Sequence, residues 1–171
     1  MIIKQMIILA LITFIPAFEL RASIPVAILS GSVELPFHLQ ISGFGWPWYF
    51  AFLYCVFINM LLGPVVFFCL NTFTRYICKI GFFDKIINAV LSRAQRRVQK
   101  YVDKWGVLGV ALFIGVPLPG SGSYSGALGA YVIGLKPLQF FYANILGTLI
   151  AGTLVTIVTV SGQGLFNLIF R

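Results

Sequence analysis

Two charged side chains interrupt an apolar stretch near the start of the chain. Glu19 and Arg21 are separated by one residue, and Pro25 follows four residues after Arg21. A charge at mid-membrane costs at least about 2.5 kcal/mol, so charges at that depth are functional as a rule. Glu19 could carry a proton, and Arg21 could bind an anionic headgroup through paired hydrogen bonds. The alternative is a shallow turn at which both side chains face water.

A second interruption combines prolines, glycines and serines between two apolar arms, residues 105–116 and 124–135. Two prolines one residue apart remove backbone donors, and the glycines that follow permit sharp reversals of the chain. Hydroxyl groups at such a turn suit a phosphate or a carboxylate. The candidate substrate-binding residues of this turn are Pro117, Pro119, Gly120, Ser121, Gly122, Ser123 and Tyr124.

The composition indicates an integral membrane protein. Hydrophobic residues make up 60% of the chain and charged residues 9%, whereas an average soluble domain has about a quarter charged residues. The sequence offers no nucleophile with a neighbouring base, and His38 is the single histidine. We therefore expect no enzyme, no metal and no cofactor.

The elements that must position the two interruptions are helical. Residues 46–70 and 138–160 are apolar and about as long as a spanning helix requires. Residues 1–31 and 105–135 consist of arms too short to span, which predicts re-entrant hairpins lying against protein or a wet cavity. Residues 75–104 carry most of the net charge of +8 and have apolar residues at helical spacing.

These segments predict an all-α membrane fold occupying residues 1–171 as a single domain. Under the positive-inside rule the basic amphipathic helix is cytoplasmic, and its natural partner is the anionic lipid surface rather than nucleic acid. Each half is then a re-entrant hairpin followed by a spanning helix, with opposite topology. Broken segments in corresponding positions of inverted repeats point to a substrate site where their tips meet.

Small residues recur at four-residue spacing on two of the apolar segments, which allows helix backbones to approach closely. We predict that the two stripes face each other. They are Gly122, Gly126, Ala130 and Gly134 on one side, and Ala143, Gly147 and Ala151 on the other.

The motif at residues 18–25, followed by the Pro-Leu-Pro-Gly-Ser-Gly turn at residues 117–122, resembles the prokaryotic small multidrug export protein family over about residues 14–152. Ala22 and Ser23 stand where that family has Gly-Ala. The family is distantly similar to the DedA, or SNARE-associated, membrane proteins. That resemblance implies opposed re-entrant hairpins and movement of lipid headgroups, although Ser121 replaces the glutamate of the DedA tip.

We therefore expect a small transporter or lipid flippase in the cytoplasmic membrane of a prokaryote, with Glu19 as the candidate residue for coupling to protons. Its substrate would lie between the turn at Glu19 and Arg21 and the second turn, and a homodimer would complete the wall around it. One alternative is an exporter of amphipathic organic cations with Glu19 as the counter-charge. Another is a membrane scaffold that recruits partners through its basic helix.

Overall fold

The computed structural model describes residues 2–16, 18–35, 39–77, 92–93, 96, 98–99, 102, 104–116 and 120–169. The chain is mostly helical. In chain order the elements are α1 (Ile2–Phe14), α2 (Glu19–Ile28), β1 (Ser30–Leu35), β2 (Leu39–Phe44), α3 (Trp48–Ile77), α4 (Val107–Gly115), α5 (Ser123–Ile133) and α6 (Pro137–Ile169).

Two of these helices contain stretches long and apolar enough to cross a membrane, Trp48–Leu70 in α3 and Pro137–Gly162 in α6. At 1.5 Å per residue, stretches of 23 and 26 residues exceed the roughly 30 Å of a hydrocarbon core. They coincide closely with the spanning helices predicted from residues 46–70 and 138–160. Both helices continue beyond the predicted ends, to Ile77 and Ile169.

The prediction of an all-α fold is wrong at one place, because β1 and β2 form an antiparallel hairpin. Its register runs from the pair Ser30 and Phe44 to the pair Leu35 and Leu39. Apolar and polar residues alternate along much of both segments, which is the period of a strand rather than of a helix. Gly43 is required at the base of this hairpin, because a Cβ atom there would collide with the carbonyl group of Leu29.

The chain forms two compact units, and the first contains Met1–Asn59 together with Ala151–Arg171. In this unit α1 is hydrogen-bonded to α3 and to Trp46, which precedes α3 by two residues. The Tyr54 hydroxyl donates to the Met6 carbonyl at 2.8 Å, and the Trp46 indole N–H donates to the Gln5 side chain at 3.0 Å. Trp46 is consequently buried.

The second unit is Met60–Ile150, and Ile114 of α4 lies at its centre. A Cβ atom added at Gly126 of α5 would lie 2.5 Å from Ile114 Cγ1, and one added at Gly147 of α6 would lie 2.6 Å from Ile114 Cβ. Both glycines therefore pack against α4. The prediction that the two small-residue stripes face each other is wrong, because Ile114 supplies the nearest atoms to both.

Asn144 joins α6 to α3 within the second unit. Pro64 lies inside α3 and cannot donate a backbone hydrogen bond to the carbonyl four residues earlier, that of Met60. The Asn144 side-chain amide donates to this carbonyl instead, at 3.0 Å. A Cβ atom at Gly63 would lie 2.5 Å from Asn144 Cγ, so glycine at that position is what lets the carboxamide reach α3.

The basic segment is helical at the residues that the structure describes between 92 and 105. Val98, predicted on its apolar face, is fully buried and packs against Gly129 of α5. Arg93, Arg96 and Lys104 are exposed, as expected for a charged face. Trp105 is exposed, and the ammonium group of Lys104 lies 5.5 Å from the centre of its ring.

The break predicted within residues 105–135 is present. The helix ends at Gly115, and the next helix begins at Ser123. The two arms, α4 and α5, contact each other, and each is too short to cross a membrane. A continuous helix through this region is thereby excluded.

Candidate functional site

Glu19 is the first residue of α2 and has an unusual backbone. Its φ angle is +42°, and among the described residues it is the only non-glycine residue with a positive φ. A left-handed conformation costs an L residue roughly 1–2 kcal/mol, and such strain concentrates at functional sites. The side chain is nevertheless only 8% exposed. The fold thus holds a buried carboxylate at a strained start of a helix.

Arg21 lies in the first turn of the same helix and is partly buried. Burial lowers the pKa of the Arg21 guanidinium below its ordinary value, and the charge of Glu19 opposes that shift. The two side chains therefore interact electrostatically although they are only two residues apart. Together they provide a carboxylate and a guanidinium at one end of a short helix.

The predicted conformation of this segment is wrong. The sequence predicted a turn at Glu19 and Arg21, but both residues, and Pro25 after them, lie in α2. The chain instead breaks at residues 15–18, where Pro16 lacks the N–H group that would continue α1. Pro25 also lacks an N–H group, so it cannot donate to the carbonyl of Arg21 as a helical residue normally would.

A buried polar network fixes the start of α2, and the sequence analysis missed it. The Ser23 hydroxyl donates to the Glu19 carbonyl at 2.9 Å. The Cys55 side chain of α3 lies against Ser23, and both residues are fully buried. The signal available was the spacing of Ser23 four residues after Glu19, at which a serine can bond back to a helix carbonyl.

The second candidate turn belongs to the other compact unit. Gly120 and Gly122 have φ angles of +82° and +126°, which side chains rarely adopt. The Ser121 hydroxyl donates to the Val116 carbonyl, closing the turn. Its proton is engaged within the turn, and the predicted role of Ser121 in binding a substrate anion stays a prediction.

Ser123 is fully buried at the first position of α5, and Tyr124 beside it is partly buried. Pro117 and Pro119 lie outside the described residues. The turn at Glu19 and Arg21 belongs to the first unit and the glycine–serine turn to the second. The predicted meeting of the two tips stays a prediction.

Metal chemistry has no support among the residues that the structure describes. None of the His, Cys, Asp and Glu side chains there form a group of three or more that could hold a metal ion. The candidate chemistry at the start of α2 is that of the Glu19 carboxylate and the Arg21 guanidinium, which can exchange a proton and bind a charged group.

Comparison with known proteins agrees with the membrane-export resemblance of the sequence motifs. The family described as "putative small multi-drug export protein" matches residues 19–154, from Glu19 at the start of α2 into the second candidate span. No curated protein and no solved structure matches the chain significantly. Since the match covers most of the 171 residues and includes both candidate turns, the chain belongs to the small multi-drug export protein family.

Proposed function

We propose that the protein is a membrane transporter in which Arg21 binds the anionic group of an amphiphilic substrate and Glu19 exchanges a proton. The observation that carries this proposal is the buried Glu19 carboxylate, 8% exposed, at a left-handed backbone position. Burying a charge and straining the backbone both oppose folding. A fold that keeps both at one residue retains them for function rather than for stability.

Arg21 determines the substrate class in this proposal. A guanidinium offers a planar fork of donors that matches phosphate and carboxylate groups. Its partial burial strengthens such contacts, because fewer water molecules compete for the donors. The anionic headgroup of a lipid fits these requirements, and lipid-headgroup movement is what the resemblance of the sequence motifs to DedA proteins would imply. We therefore place lipid flipping first among the transport activities.

The test uses purified protein in vesicles that contain fluorescently labelled phosphatidylglycerol, with movement between leaflets followed by chemical quenching under an imposed pH gradient. Arg21→Ala should slow movement about tenfold or more, because it removes charge-assisted hydrogen bonds. Glu19→Gln should retain movement but lose its response to the gradient. Arg93→Ala, at an exposed arginine of the basic segment, is the matched control and should behave as wild type.

Export of amphipathic organic cations is the second candidate, favoured by the description of the family. Glu19 would then be the counter-charge. In that case Glu19→Gln should abolish export of ethidium from loaded vesicles, while Arg21→Ala should leave it intact. If instead Arg93→Ala and Arg96→Ala abolish function and changes at Glu19 and Arg21 do not, both transport proposals fail in favour of a scaffold.

The remaining expectations belong to the same proposal. The basic segment lies on the cytoplasmic side of a prokaryotic membrane, and the short arms form re-entrant hairpins of an inverted repeat. Two candidate spans offer little wall to enclose a substrate, which supports a homodimer. The protein acts on lipids without covalent chemistry and is not an enzyme.

A further inference from the structure

A groove of about 520 Å³ lies in the second compact unit, between α3 and the first turns of α6. Phe67 and Phe140 line it and are both buried, and their rings are stacked with centres 4.9 Å apart. Val65, Phe68 and Leu138 also line the groove, but they are exposed. The groove is therefore a cleft between two helices with a stacked aromatic floor and an open side.

The two ends of this groove differ. At its inner end α3 and α6 touch, because a Cβ atom added at Gly63 would lie 2.5 Å from Asn144 Cγ. At its outer end Pro137 is the first residue of one candidate span, and Leu70 is the last residue of the other. The ends of spanning helices lie at the border between the hydrocarbon core and the headgroups. The groove thus enters the hydrocarbon from that border, over the roughly 9 Å between Leu70 and Pro64 along α3.

A single cation stands at the outer end of the groove. Lys136 immediately precedes Pro137, and it is the only charged residue between Lys104 and Arg171. Its backbone N–H donates to the Gln139 side chain at 3.1 Å, which fixes the lysine to the start of α6, and its side chain is exposed. The first turn of α6 contains no acidic residue, and the N-terminal end of a helix itself favours anions. The mouth of the groove is therefore positively charged.

We propose that this groove binds an anionic phospholipid, with one acyl chain along Phe67 and Phe140 and the phosphate at Lys136. Basic pockets between spanning helices bind anionic headgroups in this way. A zwitterionic lipid brings its own ammonium group, which Lys136 disfavours. A second copy of the chain, docked symmetrically through the groove, would bring two copies of this lysine close together. The site is separate from the substrate site proposed at Arg21 and does not depend on it.

The experiment uses the full chain in phosphatidylcholine nanodiscs, with a photoreactive phosphatidylglycerol as the probe. This lipid carries a diazirine halfway along one acyl chain, and ultraviolet light converts the diazirine to a carbene that inserts into nearby C–H bonds. Labelled peptides locate the acyl chain, and titration of the probe gives its half-saturating mole fraction. A photoreactive phosphatidylcholine with the same acyl chains is the reference. Soluble glycerol phosphate, added as a competitor, tests for recognition of a phosphate alone.

We expect saturable labelling by phosphatidylglycerol of the peptides that contain Val65, Phe68 and Leu138. Lys136→Gln should raise the half-saturating mole fraction about three- to tenfold, the contribution of one lysine near anionic lipid, and Lys136→Arg should stay near wild type. Lys104→Gln is the matched control, since it removes the same charge from an exposed lysine whose ammonium group lies over a tryptophan ring. Val65→Trp, which fills the open side of the groove, should reduce labelling by both lipids.

Four results would overturn the proposal. The first is an equal half-saturating mole fraction for wild type and Lys136→Gln in folded, monodisperse protein. The second is equal labelling by the two photoreactive lipids, as for a groove filled by bulk lipid. The third is labelling that vanishes when the chain self-associates, which would mean that a second copy covers the groove. The fourth is displacement by glycerol phosphate, which would mean that a free phosphate suffices. If Lys136→Gln fails to fold, the comparison of the two lipids on wild type decides the matter.

Discussion

The hydrogen bond between Asn144 and the Met60 carbonyl can be tested by a double-mutant cycle with Pro64. Pro64 cannot donate to the Met60 carbonyl, and the Asn144 amide does so at 3.0 Å. Pro64→Ala restores a backbone N–H four residues after Met60, so the carbonyl gains an intrahelical donor. Asn144→Ala should therefore cost more free energy of unfolding in the wild-type background than in the Pro64→Ala background.

The magnitude follows from the position of the bond. Asn144 is fully buried within a candidate span, where water cannot replace a missing donor. Hydrogen bonds between membrane helices have measured values of about 0.6 kcal/mol on average and about 1.7 kcal/mol at most. We expect a coupling energy between the two substitutions in that range. The cavity left by the shortened side chain is the same in both backgrounds and cancels.

The assay is reversible unfolding by sodium dodecyl sulfate in mixed micelles, followed by far-ultraviolet circular dichroism for the four proteins of the cycle. A parallel cycle of Thr159→Val with Pro64→Ala is the control, since Thr159 bonds within its own helix. That control should be additive within about 0.3–0.5 kcal/mol. Equal additivity in the Asn144 cycle would refute the idea that this amide replaces the missing donor.

Two further changes test the packing and the backbone. Gly147→Ala should be about 1–3 kcal/mol less stable than Gly162→Ala. A Cβ atom at Gly147 would lie 2.8 Å from the Ala111 carbonyl oxygen, whereas nothing lies within 4 Å of one at Gly162. Equal stability of the two variants in the same unfolding assay would contradict the close approach of α6 and α4. Glu19→Gly should be about 1 kcal/mol more stable than Glu19→Ala, since both remove the carboxylate but only glycine relieves the positive φ. The reverse order would mean that the left-handed start of α2 is not strained.

The candidate site was only partly predictable. The sequence singles out Glu19 and Arg21 because charges are rare in its apolar segments, and the structure confirms that Glu19 is buried. It could not show that both residues belong to a helix, because the sequence has a proline on either side of them, Pro16 and Pro25, and only the structure places the break at Pro16. The Ser23 and Cys55 contact joins residues 32 positions apart, which no local pattern reveals.

Local chemistry was enough for several features of this protein. Apolar length located the two candidate spans, and paired prolines with glycines located the break between α4 and α5, because both effects act within a few residues of sequence. The β hairpin shows the limit of that reasoning. Apolar and polar residues alternate along its two strands, but this pattern covers only a few residues, whereas the neighbouring helical segments are much longer.

Tertiary structure alone decided which polar groups have partners. Asn144 donates to a carbonyl 84 positions earlier in the chain, and Ile114 takes the place between two glycine stripes that were expected to meet. Each outcome depends on which helix faces which. A hydrogen bond or a close contact is a property of two segments, and the sequence of either one fixes only the groups that it can offer.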